Sequence, residues 1–589
     1  MGKEINRIFI NRLYSENNLF DEIVFHNGIN LILGEKYDDS SIKGRKTNGV
    51  GKSMSIEFLD FCFLRDYDKS RIAKIPKDVF DVEEYVMLDL DIGDDVVTIK
   101  RNRKEADRPI IIRNGKVVSF EKIQDAREYL TGLIFSKLNG EQVPSFRNLF
   151  SILMRDERSE FKDIIKCHDL TKRIPDDLSV HLFMLGFSLE SYHNLLDIIK
   201  EIEKITSIIS ENKKELTQDG QKKISDVKAE LNALEDELHK MEEAIESFKT
   251  NETFKIMEKE IVELENLLDQ LRKRQKALKH EYEKIRKMPK PEQIDEKEIE
   301  LVYNKFKNDL GDAVVKSLTE VVSFKNKIEE FQRTLVNQKA RMLEEQLKYI
   351  SKQIRILDDE YSEKLKVIDT KGVLKNLKTS LKIYESKKDA LSRTKYLFDE
   401  YEKNNKRKKV LKLQKTQEIM KIDEEIEKNS NIINSFINTV LEIHEAIMEN
   451  KECSFDIQTI DNARNKTPVK LNLRIYDDGS HSVDRTKVFI YDMALLFNKY
   501  TSNRHPLFLV HDNIFDVDQD TLVQCLNYAY KKEEEFQDFQ YILTLNRDKI
   551  ENEERKNLIK MDIDKHRVAI FTKEKKFLKK DYQEKKIQH

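Results

Sequence analysis

Glycine is nearly missing from the middle of this 589-residue chain. Eleven of its fifteen glycines fall between Gly2 and Gly186, three (Gly220, Gly311, Gly372) are spread over the long stretch that follows, and the last is Gly479. A stretch so poor in turn-forming residues reads as long helix, with a compact region at either end. Within the middle, Ile224, Val227, Leu231, Leu234, Leu238, Met241, Ile245 and Phe248 recur at alternating steps of three and four, the seam of a coiled coil. Ile261, Leu264, Leu268, Leu271, Leu278, Tyr282 and Ile285 continue a seam, and Leu343, Leu347, Ile350, Ile354, Leu357 and Tyr361 form another. Stripes this narrow cannot close a globular core, so they must pair with one another or with a second chain.

Pro289 and Pro291 interrupt the helix, because each lacks a backbone donor and clashes with the preceding turn; Gly311 follows. The expectation is an antiparallel hairpin that turns near 288–320, with a rising segment over about 190–290 and a falling one over about 320–450, roughly 150 Å long at ~1.5 Å per residue. Thr370-Lys-Gly-Val is expected to mark an elbow on the falling side. The alternative is an intermolecular coiled coil joining independent end domains. The expected boundaries are 1–187, 188–450 and 451–589.

Composition narrows the class. The chain is 37% charged yet 39% hydrophobic, so enough apolar residues remain to bury a core at the ends and a seam between them. It carries neither a bilayer-length apolar run nor the apolar core of a secretory signal after Met1, and a cytoplasmic protein without membrane contact is expected. Cys62, Cys167, Cys453 and Cys525 are scattered and read as reduced thiols. A formal net charge of −3 neither supports nor excludes a nucleic-acid partner.

The sharpest motif lies near the N-terminus. Ile29–Gly34 reads as a buried strand, and Thr47-Asn48-Gly49-Val50-Gly51-Lys52-Ser53 runs into the apolar helix Ser55–Leu64. Backbone N–H groups of such a glycine turn form a concave nest for phosphate. Lys52 meets the outer phosphates, and the Ser53 hydroxyl ligates Mg²⁺. ATP and Mg²⁺ are therefore the expected cofactors, with Asn48, Gly49, Gly51, Lys52 and Ser53 around them. The full phosphate-loop pattern has Gly where this chain has Lys46, and the basic insertion Lys36–Lys46 enlarges the loop.

At the other end, Pro506–Asp512 is an apolar strand closing on an acid, the form of a Walker B segment that holds Mg²⁺. Leu471–Tyr476, Gln540–Asn546 and Val568–Phe571 read as further strands and Lys487–Tyr500 as an amphipathic helix, the composition of an α/β sheet. More than 450 residues separate the two motifs.

This order of motifs resembles the ABC-type head ATPases of the SMC, RecN and RecF group, across the whole chain. More narrowly, Thr47–Phe61, Gly311–Phe331 and Val510-His-Asp-Asn resemble the short SMC-like subunits of bacterial ABC-three-component and Lamassu-type phage-defence systems. The resemblance implies an α/β P-loop head assembled from both chain ends, with a long antiparallel coiled-coil arm between them. It assigns phosphate and metal contacts to Lys52 and Ser53 and the Walker B acid to Asp512. Relatives have Glu after that acid, whereas this chain has Asn513, which orients water but takes no proton at neutral pH. Slow ATP hydrolysis is therefore expected, with His511, Asp516 and Asp518 as substitute bases. The signature turn is reduced to Gly479–Arg485, where Ser480 or Ser482 would meet the partner protomer's γ-phosphate, and the switch position is Asn546. No glutamine marks the Q-loop near Met154-Arg155.

The resemblance further implies a homodimer through ATP-sandwiched heads, DNA as a partner, an effector subunit such as a nuclease, and an additional small subunit. Basic clusters at Lys100–Lys104 and Lys406–Lys409 are DNA candidates, although a solvated face is the simpler reading of each. Three functions remain in play: an ATP-dependent DNA sensor that activates an effector in antiviral or anti-plasmid defence, a DNA-repair ATPase without effector, and a coiled-coil scaffold with a non-hydrolysing ATP site.

Overall fold

The computed structural model describes residues 4–35, 49–138, 140–167, 169–170, 174, 176–249, 258–286, 318–368, 373–461, 467–476, 481–515, 520–550, 553–580 and 582. The chain divides into two compact units, Met1–Glu201 with Leu411–His589, and Ile202–Val410.

The first unit is built on two sheets. One is antiparallel, with strand order β2-β1-β4-β5-β6-β7, from β1 (Ile8–Ser15), β2 (Ile23–Val24), β4 (Val86–Ile92), β5 (Asp95–Arg101), β6 (Ile110–Arg113) and β7 (Lys116–Ser119). The other is wholly parallel and draws on both chain ends. Its order is β13-β3-β12-β11-β8, from β3 (Gly28–Gly34), β8 (Met154–Arg155), β11 (Phe508–Asp512), β12 (Gln540–Asn546) and β13 (Arg567–Phe571). Every residue of β3, β11 and β12 is buried, which explains why these strands read as unbroken apolar runs: a parallel sheet is covered on both faces. The buried Gln540 side chain ties the two sheets together, accepting from the Ile10 N–H at 2.9 Å and donating to the Ile10 carbonyl at 2.8 Å. A short hairpin, β9 (Ser454–Thr459) with β10 (Val469–Arg474), completes the strands among the described residues.

Helix α1 (Lys52–Cys62) follows the glycine turn, and ten of its residues are buried, so it is an interior helix. The helix His481–Phe497 begins six residues before the expected Lys487. Nothing in His481–Thr486 breaks a helix, and Asp484 in the first turn favours its N-terminus. The helix Ser430–Met448 also belongs to this unit rather than to the arm, where the expected boundary at 450 put it. It buries Ile433, Phe436, Val440, Ile443, His444 and Ile447 and packs against the helices His481–Phe497 and Asp520–Glu535 of the first unit. All four cysteines are free thiols.

The second unit contains α2 (Ile224–Lys249), α3 (Glu258–Arg286), α4 (Leu318–Ile368) and the first part of α5 (Val373–Lys428). The seam residues Val227, Leu231, Leu238, Ile245, Leu268, Ile285, Leu343, Ile350 and Tyr361 are buried. Cross-helix ion pairs give the directions. Glu281–Lys339 at 3.3 Å, Arg272–Asp358 at 3.1 Å and Glu260–Lys364 at 2.6 Å make α3 and α4 antiparallel. Glu235–Lys395 and Glu237–Lys387 make α2 and α5 antiparallel. Arg272–Glu385 and Lys276–Asp389 make α3 and α5 parallel. The single expected turn is therefore joined by two further reversals, between α2 and α3 and between α4 and α5, because a heptad seam specifies burial but not direction. Most of the expected 288–320 turn, the Thr370–Gly372 elbow and the Lys36–Lys46 insertion lie outside the described residues. Among the described residues no helix is long and apolar enough to cross a membrane.

Candidate functional site

The carboxyl ends of β3, β12 and β11 lie side by side, with Gly34 opposite Asn546 and Thr544 opposite Asp512. Ligands of open parallel sheets bind at this edge. The glycine turn enters α1 here: Gly49 and Gly51 have φ of 98° and 110°, left-handed values that side chains resist. Gly51 is the N-cap of α1 and no side chain caps it, so the first helical N–H groups face the cleft. Lys52 is buried and donates to the side-chain carbonyl of Asn546. That contact depends on Gly34, where an added Cβ would stand 2.9 Å from the Lys52 ammonium. The resulting cleft has a volume of 360 Å³.

Asp512, the last residue of β11, is buried beside the cleft residue Ser53. Its Oδ1 accepts from the Thr544 hydroxyl at 2.6 Å and from the Ser53 hydroxyl at 3.1 Å. Thr544 in turn accepts from the Asn513 N–H at 2.9 Å, which fixes Asn513 in a left-handed conformation with φ 65°. Burial pushes the Asp512 carboxyl up to about 7; the Thr544 and Ser53 hydroxyls oppose that rise and the negative charge of Glu157 adds to it. A carboxylate so short of positive charge suits a divalent cation, and the donors at hand, a hydroxyl and a carboxylate, are the hard oxygens Mg²⁺ takes. Among the described residues no cluster of three His, Cys, Asp or Glu side chains could hold a metal. That is consistent with Mg²⁺, which draws most of its ligands from water and substrate phosphates. The residues present fit the ion.

Behind β11 lies a buried polar chain. Arg155 Nη2 donates to Asp492 Oδ1 at 2.9 Å, and His511 bridges Asp492 at 3.0 Å and the Tyr541 hydroxyl at 3.1 Å. Burial holds His511 below the usual histidine value. In its neutral form Nε2–H donates to the carboxylate and Nδ1 accepts from Tyr541. His511 is thus consumed by the interior and is unavailable to the cleft. Asp516 and Asp518, the other substitute bases, lie outside the described residues, as do Asn48 and Ser480. Ser482 stands in the first turn of the helix His481–Phe497, its side chain outside the description.

Several groups at the cleft carry no sequence motif. Glu157 follows β8 and reaches Asn513, whose side-chain N–H donates to its Oε1 at 2.5 Å. Arg485 donates to the carbonyls of Asn513 and Ile514 at 3.0 and 3.1 Å. The C-terminal segment lines the opposite wall with Lys576, Phe577, Lys580 and Tyr582. Phe577 stacks on Phe20 at 4.5 Å and donates its N–H to the Val50 carbonyl at 3.2 Å. Only Gly at position 51 accommodates it, since an added Cβ would stand 2.5 Å from Phe577 Cβ. The Lys100–Lys104 cluster, by contrast, is not a DNA face. Arg101 and Arg103 are 1% and 6% exposed. Arg101 donates to the carbonyls of Ala106 and Arg65, each at 2.9 Å, and Arg103 to that of Phe80 at 2.8 Å. Lys104 pairs with Glu83 at 2.8 Å. These guanidiniums staple loop carbonyls that the interior would otherwise leave unsatisfied.

A family model described as an uncharacterised protein conserved in bacteria (DUF2326) matches residues 443–581. That span holds β11, β12 and, of the C-terminal wall, Lys576, Phe577 and Lys580. Among solved structures, the chain is similar to the Smc head domain with a coiled coil and joint from Pyrococcus yayanosii, at 12% identity and a TM-score of 0.31, covering 94% of each chain. It is likewise similar to the Smc head domain with an extended coiled coil bound to the C-terminal domain of ScpA from Pyrococcus furiosus. There the identity is 10% and the TM-score 0.32, over 94% of this chain and 92% of that one. No curated protein matches the chain.

Proposed function

We propose that the protein is an SMC-like, Mg²⁺-dependent ATP-binding protein. The observation that carries this reading is the convergence of Lys52, Ser53, Asp512 and Asn546, from opposite chain ends, on one edge of the parallel sheet. Lys52 and the N–H groups of Gly49–Ser53 bind the phosphates, and Ser53 and Asp512 hold the metal. Bound Mg²⁺ supplies neutralisation of charge on the phosphates. Asn546, the last residue of the strand beside Walker B, positions Lys52 and serves as the γ-phosphate sensor. The α/β head with its antiparallel helical arm is then a P-loop ATPase of ABC type, which closes on a second head around ATP. On this reading DNA biases closure, and an effector subunit, with a small accessory subunit, performs the destructive step of antiviral or anti-plasmid defence. That last part rests on the resemblance of the sequence motifs.

A second reading, a scaffold that binds ATP without turning it over, is favoured by Asn513 at the usual Glu position. Calorimetry tests the shared core of both. Lys52→Ala removes a charge-assisted contact worth about 1.5–3 kcal/mol, so its Kd for Mg-ATP should rise roughly 10- to 150-fold. Equal affinity in the variant and the parent would end the phosphate-loop reading. Steady-state ATPase activity with and without linear duplex DNA then separates sensor from scaffold.

A further inference from the structure

The residue after the Walker B acid is an amide, yet the site does not lack a carboxylate. Among the described residues that line the cleft, Glu157 is the acidic side chain, alongside Gly49–Met54 and Asn513. Its place is built by the fold. β8 pairs with β11 in parallel, Met154 opposite Val510 and Arg155 opposite His511, so the turn after β8 comes out beside the turn after β11. That turn is a 3-10 turn over Glu157–Ser159, capped by Asp156, which accepts from the Arg158 N–H at 2.9 Å. The neighbouring acids are engaged elsewhere. Asp156 holds Arg158 Nε at 2.7 Å, and buried Glu57 pairs with Arg158 at 2.5 Å and meets Ser70 at 3.2 Å. Glu157 instead accepts from the side-chain N–H of Asn513, itself held by Thr544 and Arg485.

Resting on the ATP-binding reading above, we propose that Glu157 is the catalytic carboxylate of this head, acting in cis as the base for a water that Asn513 orients. The two tasks that one Glu performs in relatives are thereby divided between an amide on β11 and an acid on the turn after β8. In the step, the water oxygen forms a bond to the γ-phosphorus. The bond from that phosphorus to the bridging oxygen breaks, its electron pair leaving with ADP, and the water proton passes to a Glu157 oxygen and on to solvent. General-base catalysis of this kind contributes about 10²–10⁴-fold.

The full-length Glu157→Gln variant tests this. It keeps the size and one acceptor of Glu157 but takes no proton. Single-turnover hydrolysis of Mg-ATP should fall about 10²–10⁴-fold, while the calorimetric Kd for Mg-ATP stays within about threefold of the parent. Nucleotide recovered with the protein by gel filtration should be intact ATP in the variant and ADP in the parent. Glu157→Asp should recover part of the rate. The inference is overturned by an unchanged rate in Glu157→Gln, by a parent that binds but never hydrolyses ATP, or by a variant that loses binding and rate together. Lys52→Ala keeps the two levels apart. If it binds Mg-ATP like the parent, the site reading itself fails; if it loses binding while Glu157→Gln hydrolyses normally, only the role of Glu157 falls.

Discussion

Two ion pairs, one from each unit, are held in opposite ways. In the head, Arg155 and Asp492 are 0% and 1% exposed. In the arm, Lys276 and Asp389 are 64% and 68% exposed. A pair taken out of water must find all its hydrogen bonds in the protein, and so permits one arrangement of the strands and helix around it. A pair left in water permits many and adds little to stability. The head therefore uses polar groups to fix the geometry of β11, on which the cleft depends. The arm is held by its apolar seam, and its ion pairs decorate the alignment.

The sharpest way to break this contrast is to remove one half of the buried pair. Asp492→Ala strands the Arg155 guanidinium and deprives His511 of its acceptor, which should cost about 3–5 kcal/mol. Hydrogen exchange reads the head separately from the arm: amides of β11 and of the helix His481–Phe497 should exchange faster by the corresponding factor, with α3 and α4 unchanged. A loss of less than about 1 kcal/mol would mean that the head pair behaves like those of the arm.

A second prediction uses acid. Burial alone would raise Asp60 in α1, but Arg147, at 2.8 Å, and Arg65 overcome it and hold the carboxyl down to about 2. The folded value lies below the ordinary 3.8, so the stabilisation is complete above that value and is lost as pH falls through it towards 2. It amounts to about 2 kcal/mol. The stability gap between the parent and Asp60→Asn should accordingly be widest near neutral pH and narrow from about pH 4 downward. A gap constant with pH would show that the two arginines do not bias this carboxyl.

The same contrast explains what could be read from the sequence. Strands β3, β11 and β12 were legible because burial on both faces leaves no polar interruption, and the expected range Gln540–Asn546 coincides with β12. The glycine turn was legible because its constraint is local. Glu157 was not, since its position depends on the two-residue strand β8 pairing with a strand some 350 residues away, and nothing near Glu157 announces it. The C-terminal wall was hidden in a Lys-rich run that looks like a solvated tail; Phe577 was its one apolar signal beside Leu578. Arg101 is neither a phosphate contact nor the solvated residue that was the simpler expectation, because an arginine that staples loop carbonyls looks like either in sequence. In the arm the seams could be read residue by residue, but apolar spacing carries no sign for direction, and two reversals went unseen.

The smallest effect tests the arm by what should not happen. Lys276→Ala removes the exposed partner of Asp389, 2.7 Å away, and should change arm stability by no more than about 1 kcal/mol, with even that difference vanishing in high salt. The pair is nevertheless informative about topology, because Lys276 lies on α3 and Asp389 on α5, which run in parallel. Zero-length carbodiimide coupling should link Lys276 to Asp389 and Lys364 to Glu260 within one chain. In a mixture of isotopically light and heavy protein, those links should join like with like. Mixed links would mean that the helices pair between chains. Links of Lys364 alone, without Lys276, would leave the α3–α4 pair standing and remove α5 from beside it, and with it the reversal between α4 and α5.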